Sequence, residues 1–389
     1  MKKRVLIRGP LLSISGYGTH ARQIYRWLEN CDNLEISVQL LPWGVTPWMI
    51  NPDLQDGLIG RIMTKTGPID SNQKFDLSFQ IQLPNEWDPN LAFYNVGISA
   101  FVETNRHNPS WLECCNKMSH VIVPSQHIAN CIKNTGNIIT PLSVVPESFY
   151  DCLLEEKPAQ QIDLNLSTDF NFLIFGQITG TNPWTDRKNT FFAIKWLCEM
   201  FANEPSVGIV IKTNHGTNSR IDKRFTRNML NRLLSEVRPG LYPKVYLLHG
   251  HMSEQEMFSV YSNSKIKALV APTRGEGFGL PILEASVAGL PVIATNWSGH
   301  TDFMNKGKYI KLDYDLNEIH PSKVDNHIFM QGAKWAEVKE KDFKQKIIKF
   351  REKSKIPIQW AKDLANELKK SHSQTEIEKI YHKIFGDRL

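Results

Sequence analysis

Residues 271–302 read APTRGEGFGLPILEASVAGLPVIATNWSGHTD. The segment opens where a short apolar run, 268–271, ends, and three glycines, Gly275, Gly277 and Gly279, then bracket Glu276 and Phe278. Pro281 begins an apolar helix predicted over 281–288, at a position where a missing N–H costs nothing. A further apolar run, 291–294, follows. Strand, glycine loop, helix and strand form the repeating unit of a parallel sheet, and open sheets of this kind bind ligands beyond the carboxyl ends of their strands. Backbone N–H groups on such a loop, with a helix dipole behind them, favour an anion, and phosphate is the natural guest.

The same alternation extends outward in both directions. Apolar runs at 5–7, 36–41, 77–81, 93–98, 121–123 and 142–145 read as strands, with helices at 19–29 and 125–133. Residues 151–169, polar and without clear periodicity, read as a linker. A second series follows, with strands at 172–175, 207–213, 245–248, 268–271 and 291–294 and helices at 189–201, 223–237, 253–262 and 281–288. Continuous apolar strands separated by helices argue an α/β fold of two Rossmann-like, doubly wound parallel-sheet domains. The boundaries read as 1–164 and 165–356, with a helical tail over 357–389. Helices at 344–353, 359–370 and 375–385 are expected there, interrupted at Pro357, the tail packing back across the N-terminal domain.

A chain of 389 residues suits two domains, and 41% apolar with 22% charged residues excludes the disordered, collagenous and disulfide-scaffold classes. The 46 Lys and Arg against 40 Asp and Glu leave +6, spread without a basic block. That charge is compatible with a phosphate-bearing substrate, an acidic membrane surface or nucleic acid and selects none of them. Six cysteines without CxxC spacing read as small buried residues of a reducing compartment. The opening MKKRVLIRGP is too short in apolar residues for a signal peptide, and no run approaches the ~18 apolar residues that cross a bilayer. A soluble, cytoplasmic protein with at most peripheral membrane contact is expected.

Three groups of residues carry chemistry. Glu276 and Glu284 stand eight apart, and carboxylates accept hydrogen bonds from vicinal hydroxyls, so one suits a sugar ring and the other a ribose. Without that role Glu284 merely complements the helix dipole and Glu276 is a solvated loop acid. TDRKN at 185–189 follows strand 172–175 and a Gly/Thr-rich loop, and pairs the planar fork of Arg187 with the point charge of Lys188. The pair suits a diphosphate leaving group, or else lies solvated on a first helical turn. GYGTHA at 16–21 matches G-x-G-x-x-A, but six residues separate Gly9 from Gly16, a poor spacing for dinucleotide binding.

With GEGFGLPILEA at 275–285, the chain resembles the retaining glycosyltransferases of family 4, group 1 enzymes of the GT-B fold, over most of its length. The resemblance implies that the two domains face across a cleft, the first holding a hydroxyl acceptor and the second a nucleotide sugar. It gives Glu276 the donor sugar hydroxyls, Glu284 the ribose, and the backbone of Gly277, Phe278, Gly279 and Leu280 the sugar and diphosphate. Arg187 and Lys188 take the diphosphate, Gly16 and Gly18 approach donor phosphates and acceptor, and Gly250 and His251 lie beside the nucleobase. The stretch VGISAFVETNRHNPSW at 96–111 puts Glu103, Thr104 and Asn105 on the acceptor side, where many members have a histidine; His20 and His107 read as ordinary surface or second-layer residues. NWSGHTD at 296–302 loosely fits a T-x-x-G-G-x-x-E loop, with Asp302 for the usual acid.

The implied function is transfer of a hexose or pentose, with retention, from a UDP- or GDP-sugar to a glycan, lipid-linked, small-molecule or modified nucleic-acid acceptor. The donor is a co-substrate and no resident cofactor is implied. Metal independence is expected, with no metal-ligand cluster such as D-x-D recognised at the end of a donor-domain strand. The rivals are a nucleotide-sugar epimerase, an NAD-dependent oxidoreductase built on Gly16, Gly18 and Ala21, and a catalytically silent nucleotide-sugar sensor.

Overall fold

Strand β1 (Lys3–Gly9), whose Val5, Leu6 and Ile7 expose no surface, runs through the first of two sheets. The computed structural model describes residues 2–69, 74–176 and 182–389. The chain forms two units, one of residues 1–148, 326–330 and 374–389 and one of residues 149–325 and 331–373.

In the first unit β1 is joined by β2 (Leu34–Leu40), β3 (Phe75–Ile81), β4 (Ala92–Ile98), β5 (His120–Val123) and β6 (Leu142–Val144). All pairs are parallel, in the order β2-β1-β3-β4-β5-β6. The helices are α1 (Gly16–Glu29), α2 (Leu58–Thr64), α3 (Ser110–Asn116) and α4 (Gln126–Thr135). Helix α1 starts three residues before its apolar periodicity suggests, because the Ser15 hydroxyl accepts the Gly18 N–H and caps it.

The second unit holds β7 (Phe170–Phe175), β8 (Val207–Thr213), β9 (Lys244–His249), β10 (Ile266–Ala271), β11 (Val292–Thr295) and β12 (Ile310–Leu312). Their order, β12-β11-β10-β7-β8-β9, is again all parallel and is the doubly wound dinucleotide-fold order. Helices α5 (Thr190–Met200), α6 (Arg220–Val237), α7 (Glu254–Tyr261), α8 (Leu280–Val287), α9 (Thr301–Met304), α10 (Glu340–Glu352) and α11 (Lys355–His372) accompany it. An antiparallel pair, β13 (Tyr314–Glu318) with β14 (Lys334–Val338), adds two strands beyond the apolar runs that the sequence marks. The last helix, α12 (Gln374–Phe385), returns to the first core: Tyr381 stacks on Trp27 at 4.9 Å and Phe385 meets Phe79 edge-on at 5.5 Å.

Two local expectations are corrected. Residues 151–169 are packed chain rather than linker: Leu153 and Leu166 are buried in the second core, and the Ile162 N–H donates to Ser259 Oγ at 2.9 Å. Pro357 does not interrupt the tail, because it falls in the first turn of α11, where no intrahelical N–H is needed. Leu364 and Leu368 of that helix are buried in the second core. Among the described residues, no helix is long and apolar enough to cross a membrane.

Candidate functional site

Strand order reverses between β7 and β10 in the second sheet, and two loops leave the carboxyl ends of those strands. Such a switch point opens a crevice in a doubly wound sheet. One loop carries Arg187 and Lys188, the other Gly275 to Leu280. Residues 177–181, which include most of the Gly/Thr-rich stretch after β7, lie outside the described residues.

The two loops are fastened to each other by backbone and by one buried arginine. The Arg274 N–H donates to the Arg187 carbonyl at 2.8 Å. The Arg274 guanidinium, without exposed surface, donates to Glu337 Oε1 at 2.6 Å and to the carbonyls of Pro183 (2.9 Å) and Asp186. Asp186 in turn accepts the N–H groups of Lys188 and Thr190 at the start of α5. Asn189 completes the turn at φ 57°, a left-handed conformation that asparagine tolerates.

Glu276 sits where these loops meet. Its carboxylate accepts from Lys188 Nζ at 2.7 Å and from Arg187 Nη1 at 2.9 Å, and the same Arg187 nitrogen donates to the Gly275 carbonyl at 2.6 Å. Burial pushes the Glu276 pKa upward, but Lys188 and Arg187 overcome it and hold the group at about 2, so the carboxylate is charged. Its backbone is fixed too: the Glu276 N–H donates to Ser298 Oγ at 2.8 Å and its carbonyl accepts the Gly299 N–H at 2.9 Å. A Cβ on Gly299 would lie 2.0 Å from the Gly277 carbonyl oxygen, so only glycine permits this approach. Ser298 holds φ 86° and lies 3.4 Å from Nδ1 of buried His300. His300 Nε2 donates to the Thr295 carbonyl at 2.7 Å, and burial lowers its pKa.

Glu284, the fifth residue of α8, is buried and accepts a 2.8 Å hydrogen bond from the Tyr261 hydroxyl on α7. Burial raises its pKa to about 8, against the Tyr261 hydrogen bond and with a further push from Glu254. The two carboxylates of the glycine-loop motif thus have separate partners and opposite shifts. Gly279 holds φ 105°, and the start of α8 has no side-chain cap. The Phe278 ring belongs to the core, 5.1 Å from Phe303, which leaves its backbone for a ligand; Leu280 is half-buried. At the same edge, beyond β9, Gly250 holds φ 103° and its carbonyl accepts from buried Lys212 Nζ at 2.6 Å, while His251 is exposed. Burial lowers Lys212 to about 8.

In the first unit, a Cβ on Gly18 would lie 2.1 Å from the Ser13 carbonyl oxygen, whereas one on Gly16 would meet nothing within 4 Å. The close approach at Gly18 is therefore to its own chain. Between them, the Tyr17 hydroxyl lies 2.9 Å from Ser99 Oγ and accepts the Ala100 N–H at 3.0 Å, and its ring stacks on Trp43 at 3.9 Å. Of the acceptor-side candidates beyond β4, Glu103 and Asn105 are half-buried, and buried Thr104 donates to the Arg106 carbonyl at 2.7 Å. His20 and His107 are buried rather than superficial, and burial depresses them to about 4 and about 3.

An Asp-x-Asp does stand at a strand end, contrary to expectation: Asp313-Tyr314-Asp315 follows β12. Both carboxylates face lysines instead, Asp313 with Lys346 at 3.3 Å and Asp315 with Lys339 at 3.0 Å. Among the described residues no group of three His, Cys, Asp or Glu could hold a metal ion.

Sequence reasoning missed Arg274, Ser298, His300, Tyr261 and Lys212. Gly299 is a further site residue that was not singled out, and its only signal is its place in NWSGHTD at 296–302.

The family described as Glycosyl transferases group 1 matches residues 223–316, a segment that holds Glu276 and Glu284 but not Arg187 or Lys188. No curated protein matches the chain. Among solved structures, the pneumococcal O-GlcNAc transferase GtfA, bound to UDP and GlcNAc, is 13% identical over 80% of this chain and 57% of its own, with TM-score 0.51. The chain thus spans little more than half of that protein. Anabaena HepE, bound to UDP-glucose, is 13% identical over 99% of this chain and 100% of its own, with TM-score 0.65. The sucrose-phosphate synthase of Thermosynechococcus elongatus is 13% identical over 99% and 100%, with TM-score 0.63. The chain therefore has the GT-B fold, and its segment 223–316 matches the model of the group 1 glycosyl transferases.

Proposed function

We propose that the protein is a retaining glycosyltransferase of the family 4 type that moves a sugar from a nucleoside-diphosphate sugar to a hydroxyl acceptor. The observation that carries this reading is the Glu276 carboxylate held between Lys188 and Arg187 at the switch point of the second sheet. An anion entering there competes with Glu276 for both cations. When a diphosphate takes them, Glu276 is released to accept hydrogen bonds from sugar hydroxyls, so one exchange seats the leaving group and orients the ring. As the bond from the sugar's anomeric carbon to phosphate oxygen breaks, charge grows on the diphosphate, and Arg187 and Lys188 neutralise it. The acceptor oxygen bonds to the same face of that carbon, and its proton passes to the departing diphosphate. Neither a metal nor a resident cofactor enters this scheme.

Glu284 in this reading holds the ribose, and the Lys212-anchored carbonyl of Gly250, with His251, borders the base. The UDP and UDP-glucose bound by two structural neighbours support a uridine donor, with a GDP-sugar as the other choice. The first domain, read as 1–164, takes the acceptor through Glu103, Thr104 and Asn105, while Gly16 and Gly18 are assigned to the donor phosphates. Its acceptor is a glycan, a lipid-linked sugar, a small molecule or modified nucleic acid. The protein works in the cytoplasm.

Calorimetric titration with UDP, GDP, ADP, CMP and NADH, repeated on Glu284→Ala, tests the reading. One nucleoside diphosphate is expected to bind saturably and to weaken about 10- to 100-fold in the variant, the cost of leaving the ribose hydroxyls without their buried partner. Binding of NADH alone would overturn it.

A further inference from the structure

His300 exposes no surface and has no part in the proposed chemistry, yet each of its ring nitrogens has a definite partner. Nε2 lies 2.7 Å from the Thr295 carbonyl, which can only accept, so Nε2 carries the ring hydrogen. Burial, with Lys188 adding to it, favours the neutral ring against the opposite pull of Glu276 and the Thr295 carbonyl. In a neutral ring the other nitrogen, Nδ1, is an acceptor. Facing it at 3.4 Å is the Ser298 hydroxyl, which itself accepts the Glu276 N–H at 2.8 Å. Among the described residues Nδ1 is the one acceptor for the hydrogen of that hydroxyl, so the hydrogen points at His300 and the lone pairs are left for Glu276. The backbone of Ser298 is pinned as well, its carbonyl accepting the Thr301 N–H at 3.0 Å and the Thr301 hydroxyl at 2.7 Å. Each hydrogen bond from Thr295 through His300 and Ser298 to Glu276 thus has its direction set by the one before it.

We propose that His300 is a positioning residue for the donor sugar: it aims the Ser298 hydroxyl, and Ser298 holds the backbone of Glu276 where the carboxylate meets the sugar hydroxyls. The inference rests on the reading of Glu276 as the ligand of the sugar. Without a ligand the carboxylate is held by Lys188 and Arg187, and an arriving diphosphate takes both cations from it. From then on no hydrogen bond from the described residues fixes the side chain, and its place is set by its backbone, the N–H on Ser298 Oγ and the carbonyl on the Gly299 N–H. The anchor at Ser298 therefore matters least in the free protein and most with a sugar bound, where a small displacement of a positioned group is costly.

Two substitutions separate this role from packing. The side-chain oxygen of asparagine takes the place of Nδ1, and the amide nitrogen of glutamine that of Nε2. His300→Asn therefore keeps an acceptor for Ser298 and gives up Thr295, and His300→Gln does the reverse. Calorimetry on the whole protein compares UDP and GDP with UDP-glucose, UDP-N-acetylglucosamine and GDP-mannose. A bare nucleotide reads the cation and ribose contacts, and its sugar reads the Glu276 contact in addition. His300→Gln and Ser298→Ala are expected to bind the bare nucleotide as the wild type does and the nucleotide sugar at least about threefold more weakly, the order of one hydrogen bond. His300→Asn should bind both as the wild type does. The inference is overturned if the two His300 variants change places, if both keep the affinity for the sugar, or if affinity for the bare nucleotide falls in step, the mark of a packing role. A wild type that takes UDP or GDP but none of their sugars overturns it as well and leaves the nucleotide site standing. A wild type that binds none of these compounds removes the donor reading itself, and the role of His300 with it.

Discussion

At the carboxyl edge of the second sheet three ionic side chains, Arg187, Lys188 and Glu276, meet across two loops. At the same edge of the first sheet a tyrosine hydroxyl meets Ser99 and the backbone of Ala100 beneath a Tyr17–Trp43 stack. Both edges are built by parallel strands around a point where strand order reverses, β7 and β10 in one sheet and β1 and β3 in the other. The architecture is shared and the chemistry is not. A charged edge with fixed loops suits a ligand that always brings the same anion. An edge of rings and hydroxyls, with the Glu103 carboxylate near Tyr17, suits partners that vary, because stacking and hydroxyl hydrogen bonds tolerate many sugars and alcohols.

The contrast breaks first at Lys188. Lys188→Ala, which leaves Glu276 with Arg187 alone, is expected to lower kcat for sugar transfer by about 10²- to 10³-fold, as loss of one transition-state donor does elsewhere. Initial rates with radiolabelled donor would show it, with unchanged circular dichroism as the control for folding. Tyr17→Phe probes the edge of the first sheet. It leaves Ser99 Oγ and the Ala100 N–H without their shared partner, a cost of about 1–3 kcal/mol read as a lowered Tm. Nucleotide affinity should not change, and a parallel loss of it would show that the edges do not divide the work as described.

The smallest effect is in the response to pH. Glu276 lies below its ordinary 4.5, so the stability it contributes is present above that value and is lost as pH falls toward 2. Glu284 lies above 4.5, so its protonated form favours the fold, and that contribution fades as pH rises from 4.5 through about 8. Glu284→Gln keeps the shape and removes the titration. Its Tm should decline less than that of the wild type between pH 5 and 8 while the acid limb is retained, and equal declines would place the shift elsewhere.

How much of this is legible in the sequence follows from how local each signal is. The glycine loop and α8 are read directly, since strand end, glycines, proline and apolar helix fall within one short stretch. The Arg187-Lys188 pair is also visible, but its partner is not, because Glu276 lies 89 residues from Arg187 and meets it only when β7 and β10 pair. Arg274 is hidden for the same reason, its carboxylate Glu337 being 63 residues on and its aromatic neighbours, Trp184 and Trp335, lying on the loop after β7 and on β14. Ser298 misleads in a different way. It stands at the first glycine of the T-x-x-G-G-x-x-E pattern that this loop fits loosely, and nothing in its identity announces a positive φ or a hydrogen bond to Glu276. The antiparallel pair β13 and β14 escapes because its residues alternate weakly and its strands sit 15 residues apart, between β13's end at Glu318 and β14's start at Lys334.

Helix α12 bears on the order in which the chain acquires its structure during synthesis. Tyr381 and Phe385 complete the core around Trp27 and Phe79, so the first sheet, made first, waits for residues 374–389 before its aromatic centre closes. The second sheet, with α11 in its own unit, has all its parts sooner. On a ribosome that releases the chain from its amino end, the later half is therefore finished earlier. A chain ending at Ser373 is expected to expose Trp27, with its fluorescence shifted to the red and the first unit cut by protease before the second.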